Sequence, residues 1–290
     1  MDTESTPVTN NCVSEYRKFN FERDKILHEV IINDLVILPG GYDERFDTVL
    51  PHEFPKTERG EMIATKGAAI IGLNPLTGES SDLFDNLRSS ATNKLMKHSV
   101  IDVIAADMNN DNMVDSLYFG DMGGNVFIAI PYSMSIGDDI CNSVFGGVAK
   151  TFTPQAKFEP YKLFETRDKT ATSGWQYLSG RVFMYAPDVV KDNGIEMLYL
   201  GSGNRETPLD KVVQNRFYCI KNIAKSNLSS SNYSNFHMTD ADLLDVSANL
   251  AQSKDDEIKE HAIDQAMISR GWYFDLRPGE KVTSRAMVIN

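Results

Sequence analysis

Leu117-Tyr118-Phe119-Gly120, then Asp121-Met122-Gly123-Gly124-Asn125, then Val126-Phe127-Ile128-Ala129-Ile130 is the stretch on which the fold of this 290-residue chain turns. Two short runs rich in aromatic and β-branched residues flank a Gly-rich turn bounded by Asp and Asn, which spells strand, turn and strand. The same grammar occurs upstream, where Val30-Ile31-Ile32 and Leu35-Val36-Ile37-Leu38 break at Pro39-Gly40-Gly41-Tyr42-Asp43. A polar excursion over 43–66 then leads to Ala68-Ala69-Ile70-Ile71-Gly72-Leu73, closed by Asn74-Pro75-Leu76-Thr77-Gly78, so a hairpin with a long loop is expected. Downstream, Met197-Leu198-Tyr199-Leu200-Gly201 runs through Ser202-Gly203-Asn204-Arg205-Glu206 and a loop into Arg216-Phe217-Tyr218-Cys219-Ile220. The glycines that end these strands, Gly40, Gly120 and Gly201, lie 80 and 81 residues apart. A repeated β unit of that size predicts a mainly β chain, a β-propeller with decorated blades, since a plain blade takes roughly 40–50 residues.

Two segments depart from the strand pattern. Thr239-Asp240-Ala241-Asp242 has the form of a capping box, and Leu243, Leu244, Val246 and Leu250 after it would line one helical face. A second helix is expected from about Asp255 to Ile268, so a helical insertion near 239–268 decorates the β scaffold. Residues 1–30 are polar and read as a lead-in, Ser226–Asn235 as a loop, and 31–290 as the β domain. Ala286-Met287-Val288-Ile289-Asn290 reads as mid-strand, which suggests a piece of a longer chain with only part of its blade set.

Composition narrows the function. With 41% apolar, 24% charged and 10% aromatic residues, the chain has a globular makeup. Its 29 basic against 41 acidic residues give a net charge of −12, which repels phosphate backbones and argues against nucleic acid or anionic lipid. Divalent cations suit such a surface. Cys12, Cys141 and Cys219 are far apart and odd in number, so neither a thiolate cluster nor a fully paired disulfide framework is written in them. No apolar run approaches the roughly 20 residues of a membrane span, and the acidic first residues carry no export signal.

The sharpest chemical signal is Asp107-Met108-Asn109-Asn110-Asp111-Asn112-Met113-Val114-Asp115. Oxygen-bearing side chains at positions 1, 3, 5 and 9 match the spacing of calcium loops, in which a tight turn aims alternate side chains at one point and position 7 offers its carbonyl. The expected ligands of a Ca2+ ion are Asp107, Asn109, Asp111, Asp115 and the backbone carbonyl of Met113, with water completing the shell. Asn112 replaces the usual Gly, a tolerable exchange because Asn also adopts left-handed geometry. Tyr118 occupies the place of the bidentate Glu of a helix-loop-helix site, so the loop is a strand-loop-strand variant closed by Asp115. Three carboxylates at close quarters favour a bound cation, against the plainer reading of a turn capped by its own Asx side chains. The five histidines lack i, i+4 pairing, the Gly-rich turns lack a phosphate-loop Lys, and no G-x-S-x-G occurs, so no catalytic residues are assigned and no enzyme is expected. Trp175 and Trp272 are expected to anchor blades.

In register along the chain, these pieces resemble the C-terminal propeller domain of the PilY-type factors of type IV pili. The resemblance rests on Pro39–Asp43, on the loop Asp107–Asp115 running into Tyr118–Val126, and on Phe183-Met184-Tyr185-Ala186-Pro187-Asp188-Val189-Val190. It continues through Gly201–Leu209, Asn215-Arg216-Phe217-Tyr218, Gly271-Trp272-Tyr273-Phe274-Asp275-Leu276 and Gly279-Glu280-Lys281-Val282. It implies a modified, quinoprotein-like β-propeller with one calcium site, in an exported protein of the cell surface and fimbrium. Such proteins prime pilus assembly with minor pilins, act as adhesins at the pilus tip toward a host surface receptor, and use calcium occupancy to set extension against retraction, hence twitching motility. Two other readings stand beside it. One is a pyrroloquinoline-quinone-dependent dehydrogenase propeller, although calcium there is held through the cofactor's pocket and not by a contiguous loop. The other is an integrin-like extracellular propeller stiffened by calcium.

Overall fold

The computed structural model describes residues 35–43, 67–87, 95–107, 114–132, 157–166, 180–222 and 237–289. The lead-in 1–30, most of the excursion before Ala68, the loop 226–235, Trp175, Cys12 and Cys141 lie outside them.

Among the described residues twelve strands form three sheets. β1 (Val36–Pro39) pairs antiparallel with β2 (Ile70–Leu73), the expected long-looped hairpin. The second sheet is an antiparallel meander of β3 (Val103–Ala106), β4 (Ser116–Gly120), β5 (Asn125–Tyr132) and β6 (Lys157–Glu165). The third repeats that plan with β7 (Asp188–Asp192), β8 (Ile195–Gly201), β9 (Arg216–Asn222) and β12 (Gly271–Asp275). Two short strands complete the edges: β10 (Met238–Thr239) runs parallel to β6, and β11 (Leu244–Asp245) parallel to β12. Eight residues, 238–245, therefore close the outer edge of both five-stranded sheets. Among the described residues no sheet closes on another into a ring.

The apolar runs Leu117–Gly120 and Val126–Ile130 are unbroken because the second sheet is covered on both faces. Tyr118, Val126, Ile128 and Phe164 join Leu198, Leu200, Tyr218, Ile220 and Tyr273 in one core layer, between the second and third sheets. Leu117, Phe119, Phe127, Ala129 and Phe158 join Ile70, Phe84 and Leu87 in another, against the first hairpin and the 3-10 segment Asp82–Leu87. A strand buried on both sides has no need of polar residues at alternate positions, so LYFG and VFIAI carry none.

The 80-residue spacing marks equivalent places. Gly120 ends β4 and Gly201 ends β8, each the second strand of its meander, and Gly40 follows β1. At each, another segment crosses too closely for a side chain: a Cβ at Gly120 would collide with Cβ of Phe183, and one at Gly201 with Val282. Backbone bonds repeat with them, Phe183 N–H to Asp121 C=O at 3.0 Å and Val282 N–H to Ser202 C=O at 3.1 Å. Asp102 and Asp188, just before and at the start of the first strands, also act alike. Each accepts the next residue's N–H at 3.1 Å on one oxygen. On the other, Asp102 accepts Ala186 N–H and Asp188 accepts Val288 N–H, tying a unit to the segment that follows it.

Two expectations are corrected. No helix forms over 239–250: Thr239 N–H does donate to the Asp242 carboxylate at 2.8 Å, but this caps a three-residue 3-10 turn, Asp240–Asp242. Leu243 drops into the core layer between the sheets and Leu244 pairs with Trp272, so strand pairing overrides the helical spacing. The second helix is present as α1 (Asp256–Ile268), capped by Asp255, whose carboxylate accepts from Glu257 and Ile258 N–H. Trp272 is no core anchor; it stands half-buried on the outward face of the third sheet beside Tyr199, Phe217 and Phe274. The Asn193–Gly194 turn, both residues at positive φ, adds the β7–β8 hairpin, a pair the sequence-based strand assignment omits.

Candidate functional site

The acidic loop joins β3 to β4, which are paired antiparallel with Ala106 opposite Ser116. Asp115 N–H donates to Ala106 C=O at 2.9 Å, so Asp107 and Asp115 flank the last pair of this ladder at the mouth of the hairpin. Both are half-buried. Asn109, Asp111 and Met113, the remaining expected ligands, and Asn112 lie outside the described residues. Among the described residues no group of three or more His, Cys, Asp or Glu forms a metal cluster. What is placed is a strand-loop-strand frame with Asp107 and Asp115 at its two ends. Val114, next to Asp115, packs against the core layer beside the first hairpin, which fixes that end of the loop.

Neighbouring groups are committed elsewhere. Tyr118 is fully buried in β4, with its hydroxyl donated to Glu196 of β8, so it does not serve the loop. Asn222 donates to the same Glu196 oxygen at 3.0 Å. Burial foremost, with the Glu196 charge beside it, pushes the Tyr118 hydroxyl far above the usual phenol range. Asp121, also fully buried, accepts from Gly123 N–H, Asn125 N–H and the Asn125 amide, each at 2.9 Å. The Gly-rich segment is thus a turn closed on its own Asp, as expected, with Gly124 at φ +76° beside the Arg181 carbonyl.

A second cluster is invisible in sequence because its members are far apart. Asp240, in the 3-10 turn and 1% exposed, accepts from Arg216 Nη1 at 3.0 Å, Arg181 Nη1 at 3.4 Å and the Tyr218 hydroxyl at 3.0 Å. Arg216 also bonds Asp275 through Nε at 2.6 Å and lies 3.9 Å over the Tyr273 ring. Arg181 Nε is held by the Gln214 carbonyl at 2.6 Å. Although burial alone would lower it, the carboxylates of Asp275 and Asp240 and the phenols of Tyr218 and Tyr273 hold the Arg216 pKa above its ordinary value. With every charge partnered, this cluster is a clamp between the bridging segment and the third sheet. Of the histidines, His237 pairs with Glu165 at 3.3 Å and neither His98 nor His261 belongs to a metal cluster, while His28 and His52 lie outside the described residues. Burial raises the Glu165 carboxyl, but His237 and Lys162 outweigh it and hold the group below the carboxylate range.

No protein-family model matches the chain, and no curated protein matches it in sequence. Among solved structures, the crystal structure of the Pseudomonas aeruginosa PilY1 C-terminal domain has a weak structural relationship to it. The TM-score is 0.43 and the identity 14%, over 75% of this chain and 47% of that one. The alignment thus spans about half the length of that domain.

Proposed function

We propose that this chain is a calcium-binding, non-enzymatic module of an exported type IV pilus factor, its sheets serving as blades of a modified, quinoprotein-like β-propeller. The observation that carries the calcium reading is the β3–β4 pairing, which sets Asp107 and Asp115 at the two ends of one hairpin loop. A cation wrapped by this loop would take Asp107, Asn109, Asp111 and Asp115 through side-chain oxygens and Met113 through its carbonyl, as a hard ion with six to eight oxygen ligands requires. It would relieve the repulsion among three carboxylates and stiffen an edge hairpin whose far side, through Val114, Leu117 and Phe119, belongs to the core. Ion occupancy is thereby transmitted to a packed sheet and not lost in a free loop. Two successive four-stranded meanders stacked face to face, with crossing points at Gly120 and Gly201, support the blade reading. The pilus assignment, with minor pilins and a host surface receptor as partners and control of extension, twitching and adhesion as the outcome, rests on the ordered sequence pieces from Pro39 to Val282.

The test is calorimetric titration of calcium into the chain and into an Asp107→Ala, Asp111→Ala double variant. One site is expected in the former and none in the latter, with a calcium-dependent gain of about 2.7 kcal/mol in stability at a hundredfold excess over Kd. Equal titration of both forms would overturn the calcium reading. Cells whose full-length protein carries the two substitutions should misregulate pilus number; normal piliation and twitching would overturn the pilus role.

A further inference from the structure

Asn193-Gly194 is the one Asn–Gly pair in the sequence, and it forms the two-residue turn between β7 and β8, with Asp192 opposite Ile195. Both turn residues are exposed and both are left-handed, Asn193 at φ +48° and Gly194 at φ +82°. The pair suits this turn because Asn and Gly tolerate positive φ, which matches the twist of the flanking strands. The same pair is chemically reactive. Glycine has no Cβ to shield its backbone nitrogen, so that nitrogen can reach the side-chain amide carbon of the asparagine before it. The turn conformation opposes that approach. A non-glycine residue at positive φ lies in the left-handed well, with ψ about +30 to +60°. The Gly194 nitrogen then points away from Asn193 Cβ across the Cα–C bond, whereas closing a succinimide ring needs the two nearly eclipsed. Ring closure therefore waits until the turn opens and Asn193 rotates about that bond.

Opening is cheapest at this end of the sheet. Among the described strands β7 is an edge, paired with β8 alone, and its last residues, Lys191 and Asp192, are exposed. Such a hairpin end opens at a lower cost than global unfolding. We infer that Asn193 is a deamidation site gated by opening of the β7–β8 hairpin. The Gly194 nitrogen attacks Asn193 Cγ, and the new C–N bond forms as the bond to the side-chain nitrogen breaks. That nitrogen leaves as ammonia with the Gly194 amide proton, and water then opens the succinimide to aspartate or isoaspartate. Either product places a new carboxylate next to Asp192. Isoaspartate also adds a methylene to the main chain, which a two-residue turn registered on Asp192 and Ile195 does not accommodate. The strain falls on β7, where Val189 packs against the core layer and Asp188 accepts Val288 N–H. Deamidation therefore loosens the edge of the third sheet and its tie to the segment that follows.

The test is to age the full chain in mildly alkaline buffer, with and without guanidinium chloride, and to follow the tryptic peptide Asp192–Arg205 by mass and fragmentation. Conversion of Asn193 is expected in both samples. It should run at least about tenfold slower in the folded chain, which corresponds to about 1.4 kcal/mol for opening the hairpin. Asn193→Gly keeps a pair that tolerates the turn and should abolish conversion at this position. The aged folded chain should melt below the fresh one, while Asn193→Gly aged in the same way should keep its melting temperature. An unfolded chain that gains no acid at position 193, equal rates in the folded and unfolded chains, or a deamidated chain that melts like the fresh one would each overturn the inference.

Discussion

Replacing Asp240 by Ala tests the largest polar commitment in the fold. The carboxylate is the shared acceptor of two guanidinium groups and one phenol, and it is 1% exposed. Without it, Arg216 keeps Asp275 and the Tyr273 ring, Arg181 keeps the Gln214 carbonyl but loses its carboxylate partner, and the Tyr218 hydroxyl loses its acceptor. Removing one partner of a buried ionic cluster costs about 3–5 kcal/mol, because the remaining charges have lost water without compensation. In a chain of this size each kcal/mol is about 2–4 °C, so a fall of about 6–20 °C in melting temperature is expected. Urea unfolding of wild type and Asp240→Ala, followed by tryptophan emission, measures the free energy. Tyr218→Phe should cost only about 0.5–1.5 kcal/mol, since it deletes one donor and leaves the charges paired. Exchanging the whole cluster, Arg181→Met, Arg216→Met and Asp240→Leu together, should restore much of what Asp240→Ala loses. A loss below about 1 kcal/mol for Asp240→Ala, or a triple variant weaker than the single one, would refute the clamp.

Two further outcomes follow from local geometry. Gly120→Ala should lose about 1–3 kcal/mol in urea unfolding, because the new Cβ meets Cβ of the buried Phe183, which cannot rotate away; Gly201→Ala meets Cβ of Val282 in the same way and should lose a comparable amount. Burial pushes the Cys219 thiol up from 9.0 to about 11, so the folded chain holds this proton longer than the unfolded one. Its contribution is therefore intact below about pH 9 and lost as pH rises toward 11, amounting to about 2 kcal/mol by pH 10.5. The difference in stability between pH 8 and 10.5 should shrink by that amount in Cys219→Ala, and an unchanged difference would show that the thiol does not titrate in this window.

Strand content was legible where local chemistry suffices. LYFG, DMGGN and VFIAI give β4, a turn and β5, because burial on both faces needs only unbroken apolar residues and the turn needs only an Asp to close it and a Gly at positive φ. Asn193–Gly194 is an equally local hairpin signal. The segment 239–250 was not legible, since its capping box is real but belongs to a single 3-10 turn, and what governs the next residues is pairing of Leu244 with Trp272, 28 positions away. At the candidate calcium site, the spacing of oxygen side chains is a property of the loop, whereas the hairpin that holds Asp107 and Asp115 at its two ends is a property of the β3–β4 pairing.

The sequence by itself determined the β class, the net acidic charge, the repeat of strand-ending glycines and the composition of the loop, because each is encoded within a few neighbouring residues or in a sum over all of them. Only the tertiary structure decided that residues 238–245 bridge two sheets, that Asp240 gathers Arg181, Arg216 and Tyr218, and that Trp272 stands on an outward sheet face instead of in a core. Those facts depend on contacts between residues tens of positions apart, whose geometry is fixed by how whole sheets pack and not by the preferences of any single segment.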